Sequence, residues 1–499
     1  DSLRLGQNLD GGSLVEAAVD DLMLYQQSNN NTGCTDSLAL NYDPAATVDD
    51  SSCIAVVYGC TDVYADNYSS SSNIDDGSCC WLDEITQLGN DIDGEASGDQ
   101  SGSSVSLSSD GNTVAIGSYY NDGNGTSTGH VRIYNHNGNN WNQVGQDIDG
   151  DAGDFSGATV SLSADGGIVA ITSLYSAGNN VGCVRIYSFD GSSWVQLGNV
   201  ITSSEYGFGY YLSISNDGSI VAIGSPYVGV GSTTDYSGVV RMFSWDGNNW
   251  IQLGQDIVGD PDELFSRVSL SSDGEIVAIG GPGYSAGVEE GVVRVYSFNG
   301  SSWVQLGIDI IGKYWNNESI GKSVSLSSNG MTLAFGSGSD FGPLARIYTY
   351  TNSSWVQLGN DIFDYSGVDD WSVPVSLSSN GNTVAIGTPS EDVNGTGGGP
   401  GHVRIYNYNG SSWNQLGDDI DGEASGDRSG SSVSLSSDGN TVAIGANYND
   451  GNGSNSGHVR IYQFGSDCIG CTDSLAFNYD PAVIVDDSSC IPFIYGCTD

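Results

Sequence analysis

The chain has 499 residues, with 61 aspartates and glutamates against 12 lysines and arginines, so its formal net charge is −49. Such a charge repels nucleic acids and anionic membrane surfaces, and no run of about 18 apolar residues is long enough to insert into a membrane. The charge favours cations, although solubility in a salty or calcium-rich medium explains it equally well.

The first segment, residues 1–28, is too short for a domain of its own. It contains LRLGQNLDGG and SLVEAAVDDLMLYQ, which have the pattern of two strands. The wording VDDLMLYQ resembles the closing strand of a laminin-G-like jelly roll. This resemblance implies that a carbohydrate- or protein-binding domain precedes the segment, and an ordinary N-terminal extension is the alternative.

Six of the ten cysteines form three pairs with 18 intervening residues each, within the segments 33–53, 59–79 and 470–490. This regular spacing indicates a disulfide framework and an oxidising compartment, secreted or at the cell surface. The three segments begin with GCTD and end with Cys, and GCTD starts again at 496–499. Cys497 has no partner in the chain, so we expect that the protein continues or that Cys497 pairs with another molecule.

The three segments resemble the short GCTD module found in tandem on secreted surface proteins of Bacteroidota and of marine microalgae. In that module the two cysteines pair locally, which implies the disulfides Cys34–Cys53, Cys60–Cys79 and Cys471–Cys490. Closing one such loop contributes about 3 kcal/mol in the chain-entropy model. The repeated oxygen-bearing side chains suit Ca²⁺, and turn formation is the alternative interpretation; they are Asp36, Asn41, Asp43, Asp49, Asp50, Asp473, Asn478, Asp480, Asp486 and Asp487.

Residues 81–465 contain one pattern written seven times at intervals of 51–58 residues. In the first copy it consists of SVSLS (104–108), NTVAIGS (112–118), GHVRIYN (129–135) and WNQVG (141–145). A DG turn joins the first two runs and an NG-containing turn joins the last two, so each copy predicts a four-stranded antiparallel sheet. Seven such sheets bury their faces only when they are arranged radially. We therefore predict an all-β, seven-bladed β-propeller, with small disulfide-stapled modules on both sides.

The strand order resembles that of tryptophan-aspartate-repeat and FG-GAP-type propellers, although the binding motifs of neither family are present. By alternation, we expect Val105, Val114 and Val131 to share one side of the first sheet. Small residues of the first copy, such as Ala115 and Gly117, are then expected to pack against the next blade.

The outer strand has a Trp in only six copies, and the seventh copy ends without one. The missing strand is found at the other end of the repeat region, as residues 84–89 with Ile85 in the Trp position. We therefore predict that the N-terminal strand completes the last blade and closes the ring. Cys80 and Cys468 flank this pairing, which predicts a Cys80–Cys468 disulfide. Cys183 is expected to be a buried thiol outside any disulfide.

The histidines and arginines repeat with the fold, which indicates structural roles. Three of the four histidines (His130, His402 and His458) stand two residues before a repeated Arg. We expect the seven arginines (132, 185, 241, 294, 346, 404 and 460) to pair with turn or neighbouring-blade carboxylates, such as the Asp of SSDG. No catalytic motif is present, so the sequence predicts that the protein is not an enzyme.

Two acidic loops, DIDGEASGD and YNDGNG, are best preserved in copies one and seven, and both are expected at one end of the ring. Either they form Ca²⁺ sites, which would make Ca²⁺ the cofactor, or they only form turns. The candidate metal ligands are Asp91, Asp93, Asp99, Asp122, Asp419, Asp421, Asp427 and Asp450. Loops Ser203–Gly209, Tyr314–Glu318 and Tyr365–Trp371 have diverged and gained aromatic residues, as glycan- or protein-contacting loops often do.

The combined pattern favours an extracellular, non-catalytic structural or adhesive component of a cell-surface protein or filament, such as a flagellar hair or adhesin stalk. Its partners would be other surface proteins or copies of itself. A lectin-like, glycan-binding propeller is the alternative, and an extracellular hydrolase is a weaker one. Candidate glycosylation sites are the nine N-x-S/T sequons at Asn30, Asn67, Asn124, Asn299, Asn317, Asn352, Asn394, Asn409 and Asn452.

Overall fold

A computed structural model of the chain describes residues 31–63, 68–75, 79, 85–175, 181–228, 236–283, 290–312, 319–338, 345–363, 373–389, 399–464, 469–470 and 485–486. The chain divides into two units, Asp1–Cys79 and Cys80–Asp499, which are described separately. All regular elements in the described ranges are β-strands. Those ranges contain no helix that could cross a membrane.

The first unit has little regular structure and is held by two disulfides. Strands β1 (Thr32–Gly33) and β2 (Val48–Asp49) pair in parallel. The predicted disulfides Cys34–Cys53 and Cys60–Cys79 are both present. Residues 1–28 and the cysteines of the two other predicted disulfides, Cys80–Cys468 and Cys471–Cys490, lie outside the described residues.

The second unit contains seven antiparallel sheets, and the predicted seven-bladed propeller is confirmed. The N-terminal segment supplies β3 (Ile85–Gln87) and β4 (Ile92–Asp93). Blades 1 to 3 comprise β5 (Ser104–Leu107), β6 (Thr113–Ser118), β7 (His130–His136), β8 (Trp141–Gln143), β9 (Ile148–Asp149), β10 (Ser156–Leu162), β11 (Ile168–Ser173), β12 (Cys183–Phe189), β13 (Trp194–Gln196), β14 (Ile201–Thr202), β15 (Tyr211–Ile214), β16 (Ile220–Ser225), β17 (Val239–Trp245), β18 (Trp250–Gln252) and β19 (Ile257–Val258).

Blades 4 to 7 follow the same order. They comprise β20 (Arg267–Leu270), β21 (Ile276–Gly281), β22 (Val292–Phe298), β23 (Trp303–Gln305), β24 (Ile310–Ile311), β25 (Ser319–Leu326), β26 (Thr332–Gly338), β27 (Ala345–Thr351), β28 (Ser354–Gln357), β29 (Val375–Leu377), β30 (Thr383–Thr388), β31 (His402–Tyr408), β32 (Trp413–Asp421), β33 (Ser432–Leu435), β34 (Thr441–Ala446) and β35 (His458–Phe464). Beyond the ring, β36 (Ile469–Gly470) pairs in parallel with β37 (Val485–Asp486).

The N-terminal strand closes the ring as predicted. Strand β3 pairs antiparallel with β35, with Ile85 opposite Phe464, and β4 continues along the same strand. We call this pairing the seam. Since the seam fills the outer position of blade 7, all seven blades have the same strand order and β35 has a partner on both sides.

The outer strand of each blade is longer than the Trp-containing run alone. In blade 1 the third strand, β7, pairs first with β8 and then with the two-residue strand β9. In blade 6 the same two parts are one continuous strand, β32, with a register shift against β31. The predicted four-stranded blade is therefore correct, and its outer strand carries an irregularity after the Trp-x-Gln run.

The expected side assignment within blade 1 is wrong for the third strand. The register places Ile116 opposite Arg132 and Ala115 opposite Ile133. Val105 and Val114 consequently pack towards blade 7, whereas Val131 packs with Ala115 towards blade 2. Alternation fixes sides only within one strand, and the offset between strands depends on the loop that joins them. The expectation for Gly117 is correct, because a Cβ there would lie 2.0 Å from the carbonyl oxygen of Gly157.

A closed ring of backbone hydrogen bonds surrounds the axis at the end of the inner strands. The second residue of each SSDG-type turn donates its N–H to the same position in the next blade, over 2.8–2.9 Å; the residues are Ser109, Ala164, Asn216, Ser272, Ser328, Ser379 and Ser437. The ring closes because Ser437 donates to Ser109. It borders a cavity of about 150 Å³. We call this end of the propeller the turn end and the opposite end the loop end.

A second ring links the inner strands through serine side chains. The Ser before each inner-strand Leu or Ile accepts the backbone N–H of that Leu or Ile in the following blade, at 2.9–3.2 Å. The donor and acceptor pairs are Leu107 and Ser434, Leu162 and Ser106, Ile214 and Ser161, Leu270 and Ser213, Leu326 and Ser269, Leu377 and Ser325, and Leu435 and Ser376. The Ser that precedes Leu or Ile in each inner strand thus provides a hydrogen-bond acceptor for a backbone N–H at the edge of the neighbouring inner strand.

The outer-strand tryptophans link the blades at the perimeter. Each indole Nε1–H donates to the carbonyl that follows the Trp-x-Gln run of the preceding blade, at 2.8–2.9 Å; the donors are Trp141, Trp194, Trp250, Trp303, Trp355 and Trp413. At the seam the Trp position is held by Ile85, whose side chain has no N–H to donate to the carbonyl of Leu416. Ile85 also borders a cavity of about 340 Å³.

We expect Ile85→Trp to stabilise the ring, because an indole would add the seventh hydrogen bond and fill part of the cavity. The gain should be about 1 kcal/mol. Thermal and urea unfolding of the variant test this, with Trp303→Phe as the matched control that loses one such bond. A lower melting temperature for Ile85→Trp than for the wild type would contradict the assigned equivalence.

Candidate functional site at the loop end of the ring

The loops that sequence analysis singled out lie together at the loop end. They are the connections from the second to the third strand of each blade and from each blade to the next inner strand. The two acidic loops of the seam contact each other directly, since Gly98 N–H donates to the Ser454 carbonyl at 2.9 Å and the Asn452 side chain donates to Gly94 at 2.8 Å. Their predicted placement at one end is confirmed.

Four of the predicted metal ligands hold the backbone of their own loops. Asp99 and Asp427 are buried, and their Oδ2 atoms accept from a backbone N–H and from the side chains of Asn121 and Asn449, respectively. Asp122 and Asp450 each accept the backbone N–H five residues further on. These contacts match the turn interpretation, and calcium binding at these carboxylates remains a prediction.

The aspartates of the first disulfide-linked segment make the same kind of contact. Asp36, Asp43, Asp49 and Asp50 each accept the backbone N–H two residues further on, at 2.9–3.1 Å. Asn41 accepts the N–H of Ile54. These are Asx turns, which the residue types favour without any ion. The side chains of Asp473, Asn478, Asp480, Asp486 and Asp487 lie outside the described residues.

Of the seven repeated arginines, Arg132, Arg294, Arg346 and Arg460 are buried and the other three are partly buried. Six of them form ion pairs with carboxylates among the described residues, although not with the Asp of SSDG. In the SSDG turn of blade 1, Asp110 accepts from Ser108 at 2.6 Å and from the N–H of Asn112, so it serves its own turn. Arg294 instead donates to Glu263 and to Asp309 at 2.9–3.0 Å. The partner carboxylates follow the outer strand or belong to the connection from the preceding blade, and only tertiary structure brings them to the arginine.

Acid should weaken the Arg241 cluster. The hydrogen bond from Arg241 lowers the pKa of Glu205 below its usual 4.5 and that of Asp256 below 3.8. Groups with a lowered folded-state pKa stabilise the fold fully above their unfolded-state pKa and lose that effect as the pH falls through the folded value. We expect the unfolding free energy to fall between about pH 6 and pH 3 in both proteins. The fall should be smaller in Arg241→Met than in the wild type, by about 1 kcal/mol for these partly exposed groups. Equal slopes would contradict the assignment.

Three of the repeated histidines face carboxylates, an arrangement that sequence analysis missed. His130, His402 and His458 are all buried, and each forms a compact group with two carboxylates. The groups are His130 with Glu95 and Asp147, His458 with Asp91 and Glu423, and His402 with Asp419 and Asp421. A signal was present in the sequence, because a Gln-x-x-x-Asp spacing recurs after the outer-strand Trp and a Glu follows DIDG in two copies.

Burial keeps two of these histidines neutral. Desolvation, followed by the charge of Arg132, lowers the pKa of His130 to about 4, and desolvation also lowers the pKa of His458. Burial, together with the charge of neighbouring Asp91, raises the pKa of the Asp93 carboxyl. The fourth histidine, His136, packs its ring against Trp141 and belongs to none of the three groups.

Aromatic side chains form an arc across blades 7, 1, 2 and 3 at the loop end. Neighbouring ring centroids lie 4.4–6.4 Å apart along two chains, one running from Tyr119 to Tyr175 and one centred on Tyr227. We define the aromatic arc as Tyr119, Tyr120, Phe155, Tyr175, Tyr206, Tyr210, Tyr211, Tyr227, Tyr236 and Tyr448. Tyr206 comes from the diverged loop Ser203–Gly209 and is half exposed. The other two diverged loops lie outside the described residues.

An arginine flanks each end of the aromatic arc. Arg428 lies 4.1 Å from the ring centroid of Tyr448, and Arg267 lies 4.6 Å from that of Tyr211. Among the described residues, the cations outside the arginine repeat are Arg267, which begins β20, Lys322, which lies within β25, and Arg428, which precedes β33. Aromatic faces with interspersed cations suit contacts with sugars and with other proteins.

Two family models match parts of the propeller. A family model described as FG-GAP repeat matches residues 420–462, which span most of blade 7. A second model, the RIP homotypic interaction motif, matches the short segments 188–199, 294–308 and 351–361. These segments include Trp-Val-Gln runs of the outer strands. No curated protein matches the chain.

Among solved structures, hydrazine synthase of Kuenenia stuttgartiensis is 13% identical, with 72% of this chain and 94% of that chain covered and a TM-score of 0.45. A putative 6-phosphogluconolactonase from Bacteroides uniformis is 15% identical, with 65% and 86% covered and a TM-score of 0.45. Chaetomium thermophilum Sqt1, bound to the N-terminus of ribosomal protein L10, is 14% identical, with 72% and 86% covered and a TM-score of 0.44. These values support no inference about function.

Proposed function

We propose that the chain is a non-catalytic structural and adhesive component of an extracellular surface protein or filament, in which the propeller acts as a rigid bead. The observation that carries this proposal is the repetition of polar links between blades. Two closed rings, one of backbone and one of serine hydrogen bonds, join all seven blades, and tryptophan bonds join six of the seven interfaces. A propeller whose blades are joined in this way should resist deformation when force is applied to it.

The chemistry of the described side chains supports a non-catalytic role. Six of the seven repeated arginines form ion pairs with carboxylates, and the inner-strand serines accept backbone N–H groups. These residues recur with the repeat and serve the ring. Cys183 is buried outside any disulfide. The two disulfides of the first unit and the predicted GCTD modules support an extracellular place, where oxidised cysteines persist. The five described sequons, at Asn124, Asn299, Asn352, Asn409 and Asn452, are all exposed.

Adhesion should depend on the aromatic arc. Beads coated with the 499-residue chain should cluster with one another, and a variant with Tyr120→Ser, Tyr206→Ser and Tyr227→Ser should cluster at least tenfold less. The matched control replaces three half-exposed apolar residues of the outer strands, as Val195→Ser, Ile251→Ser and Val304→Ser. Equal clustering of wild type and arc variant, with unchanged melting temperatures, would contradict adhesion through this surface.

A lectin-like function is the second candidate, and the same arc favours it. Aromatic rings with centroids 5.4 Å apart, as in the pairs Tyr120–Phe155 and Tyr210–Tyr227, offer contact surfaces for the apolar faces of sugar rings. The net charge of −49 favours uncharged over anionic polysaccharides. Titration calorimetry with cellohexaose and chitohexaose should show binding that the arc variant loses. Binding that survives in the arc variant, or no binding by the wild type to a panel of neutral glycans, would count against this candidate.

A further inference from the structure

Two histidine groups at the loop end are built alike. In blade 1, Nδ1 of His130 lies 3.9 Å from Oε2 of Glu95 and 4.0 Å from Oδ2 of Asp147. In blade 7, Nδ1 of His458 lies 3.7 Å from Oδ2 of Asp91 and 3.8 Å from Oε2 of Glu423. The histidine side chains are only 2% and 1% exposed. Each Nδ1 therefore points between two carboxylates at distances too long for hydrogen bonds.

In four other blades the repeated arginine and an aspartate form a hydrogen bond that is missing in blades 1 and 7. In blades 3 to 6 the Nε of the repeated arginine donates to the aspartate 15 residues later, as Arg241 does to Asp256 at 3.0 Å. In blades 1 and 7 the corresponding aspartates face the histidine, and Nε of Arg132 and of Arg460 is buried without a hydrogen-bond partner. Their Nη2 atoms donate to backbone carbonyls. The aspartate is thus withdrawn from the arginine in blades 1 and 7, whereas in blade 6, which also has a histidine, Asp419 still bonds Arg404.

The carboxylates are held in position by neighbouring side chains. Gln143 donates to Oδ1 of Asp147, and Gln87 donates to Oδ1 of Asp91, at 2.5–2.6 Å. In both cases the other oxygen, Oδ2, is the atom that faces the imidazole. Outer contacts of this kind orient the ligands of metal ions in proteins.

We propose that each of these two groups binds one divalent transition-metal ion of the Zn²⁺ type, through the imidazole Nδ1 and the two carboxylates. Zinc at its usual bond lengths separates adjacent ligand atoms by about 3.3 Å, so a small inward rotation of the carboxylates closes each group around the ion. An imidazole ligand selects zinc-like ions over Ca²⁺, which prefers oxygen alone. The strong negative charge of the protein further favours a cation.

The blade 7 site would add a link across the seam. Asp91 belongs to the N-terminal segment, whereas His458 belongs to the last blade and Glu423 to the connection that enters it. An ion bound there holds the two ends of the ring together. In the blade 1 site, Glu95 lies in the connection that enters the blade and Asp147 lies between β8 and β9 of the blade itself, so this site does not cross the seam.

Titration of the chelator-treated chain with Zn²⁺ tests the proposal, in the presence of excess Mg²⁺ to occupy exposed carboxylates. We expect two tight equivalents in the wild type and one in either His130→Gln or His458→Gln. The double variant should bind none. Zinc should also raise the melting temperature, and His458→Gln should lose more of this rise than His130→Gln.

Blade 6 provides an internal control. There Asp419 makes two bonds to Arg404, at 2.8 and 2.7 Å, so His402→Gln should still bind two equivalents. Visible absorption of the Co²⁺-substituted protein should show nitrogen ligation that disappears in the double variant. The proposal is wrong if the double variant, with an unchanged circular dichroism spectrum, binds as much Zn²⁺ as the wild type, or if Ca²⁺ displaces zinc at equal concentration.

Discussion

A chain that starts at residue 94 should fail to form a stable closed propeller. This truncation removes β3 and β4, which pair with β35, and it exposes the cluster that Ile85 and Phe464 share. Ile92 is also buried against blade 1 and its neighbours. Losing the burial of Ile85, Leu88 and Ile92 costs about 5–8 kcal/mol, which is comparable to the whole stability of an ordinary domain. The unpaired edge of β35 should promote association between copies.

Size-exclusion chromatography and thermal unfolding measure this effect. The control is a chain that starts at Cys80, where the second unit begins, and it should melt as one cooperative transition. A peptide of residues 81–103, added to the truncated chain, should restore part of the transition. If the chain that starts at residue 94 is monomeric and melts like the control, then the seam does not close the ring.

Replacing Arg294 by Met should destabilise the protein by about 3–5 kcal/mol, because the change leaves the buried carboxylate of Glu263 without its counter-charge. The arginine and Glu263 are each 9% exposed, and Arg294 also bonds Asp309 and Asp260. Its guanidinium group lies over the ring of Phe265 at 5.2 Å. The methionine retains most of the apolar packing of the side chain, so the loss reports mainly on charge.

Urea unfolding of the variant gives the size of this effect. The double variant Arg294→Met with Glu263→Gln should recover part of the loss, since it removes one of the uncompensated charges. A loss below 1 kcal/mol, or no recovery in the double variant, would show that the cluster contributes little to the fold.

The sequence predicted the ring because the ring is a sum of local patterns. Alternation within each run, the DG and NG turns and the sevenfold period are all properties of neighbouring residues. The seam was predictable by counting, since only Ile85 could fill the position of a seventh Trp. Two disulfides were predictable from the resemblance of the GCTD segments, which the spacing of their cysteines supports.

Contacts between distant residues were not predictable in this way. The side of Val131 depends on the offset between β6 and β7, and alternation along one strand does not set that offset. The aspartate of SSDG was the example predicted as the partner of the repeated arginine, and it is instead used by its own turn. The observed partners of Arg294 include Glu263, in the connection from the preceding blade, and Asp309, which follows the outer strand.

The sequence by itself determined the fold class, the number of blades, the strand that closes them and the structural use of most repeated residues. Only the tertiary structure decided which side chains meet at the loop end. The aromatic arc assembles residues of four blades, and the histidine groups of blades 1 and 7 each combine a third strand, an outer-strand aspartate and a glutamate from the connection that enters the blade. Radial packing creates these contacts between segments that share no local pattern, and the proposed adhesive and metal-binding surfaces arise there.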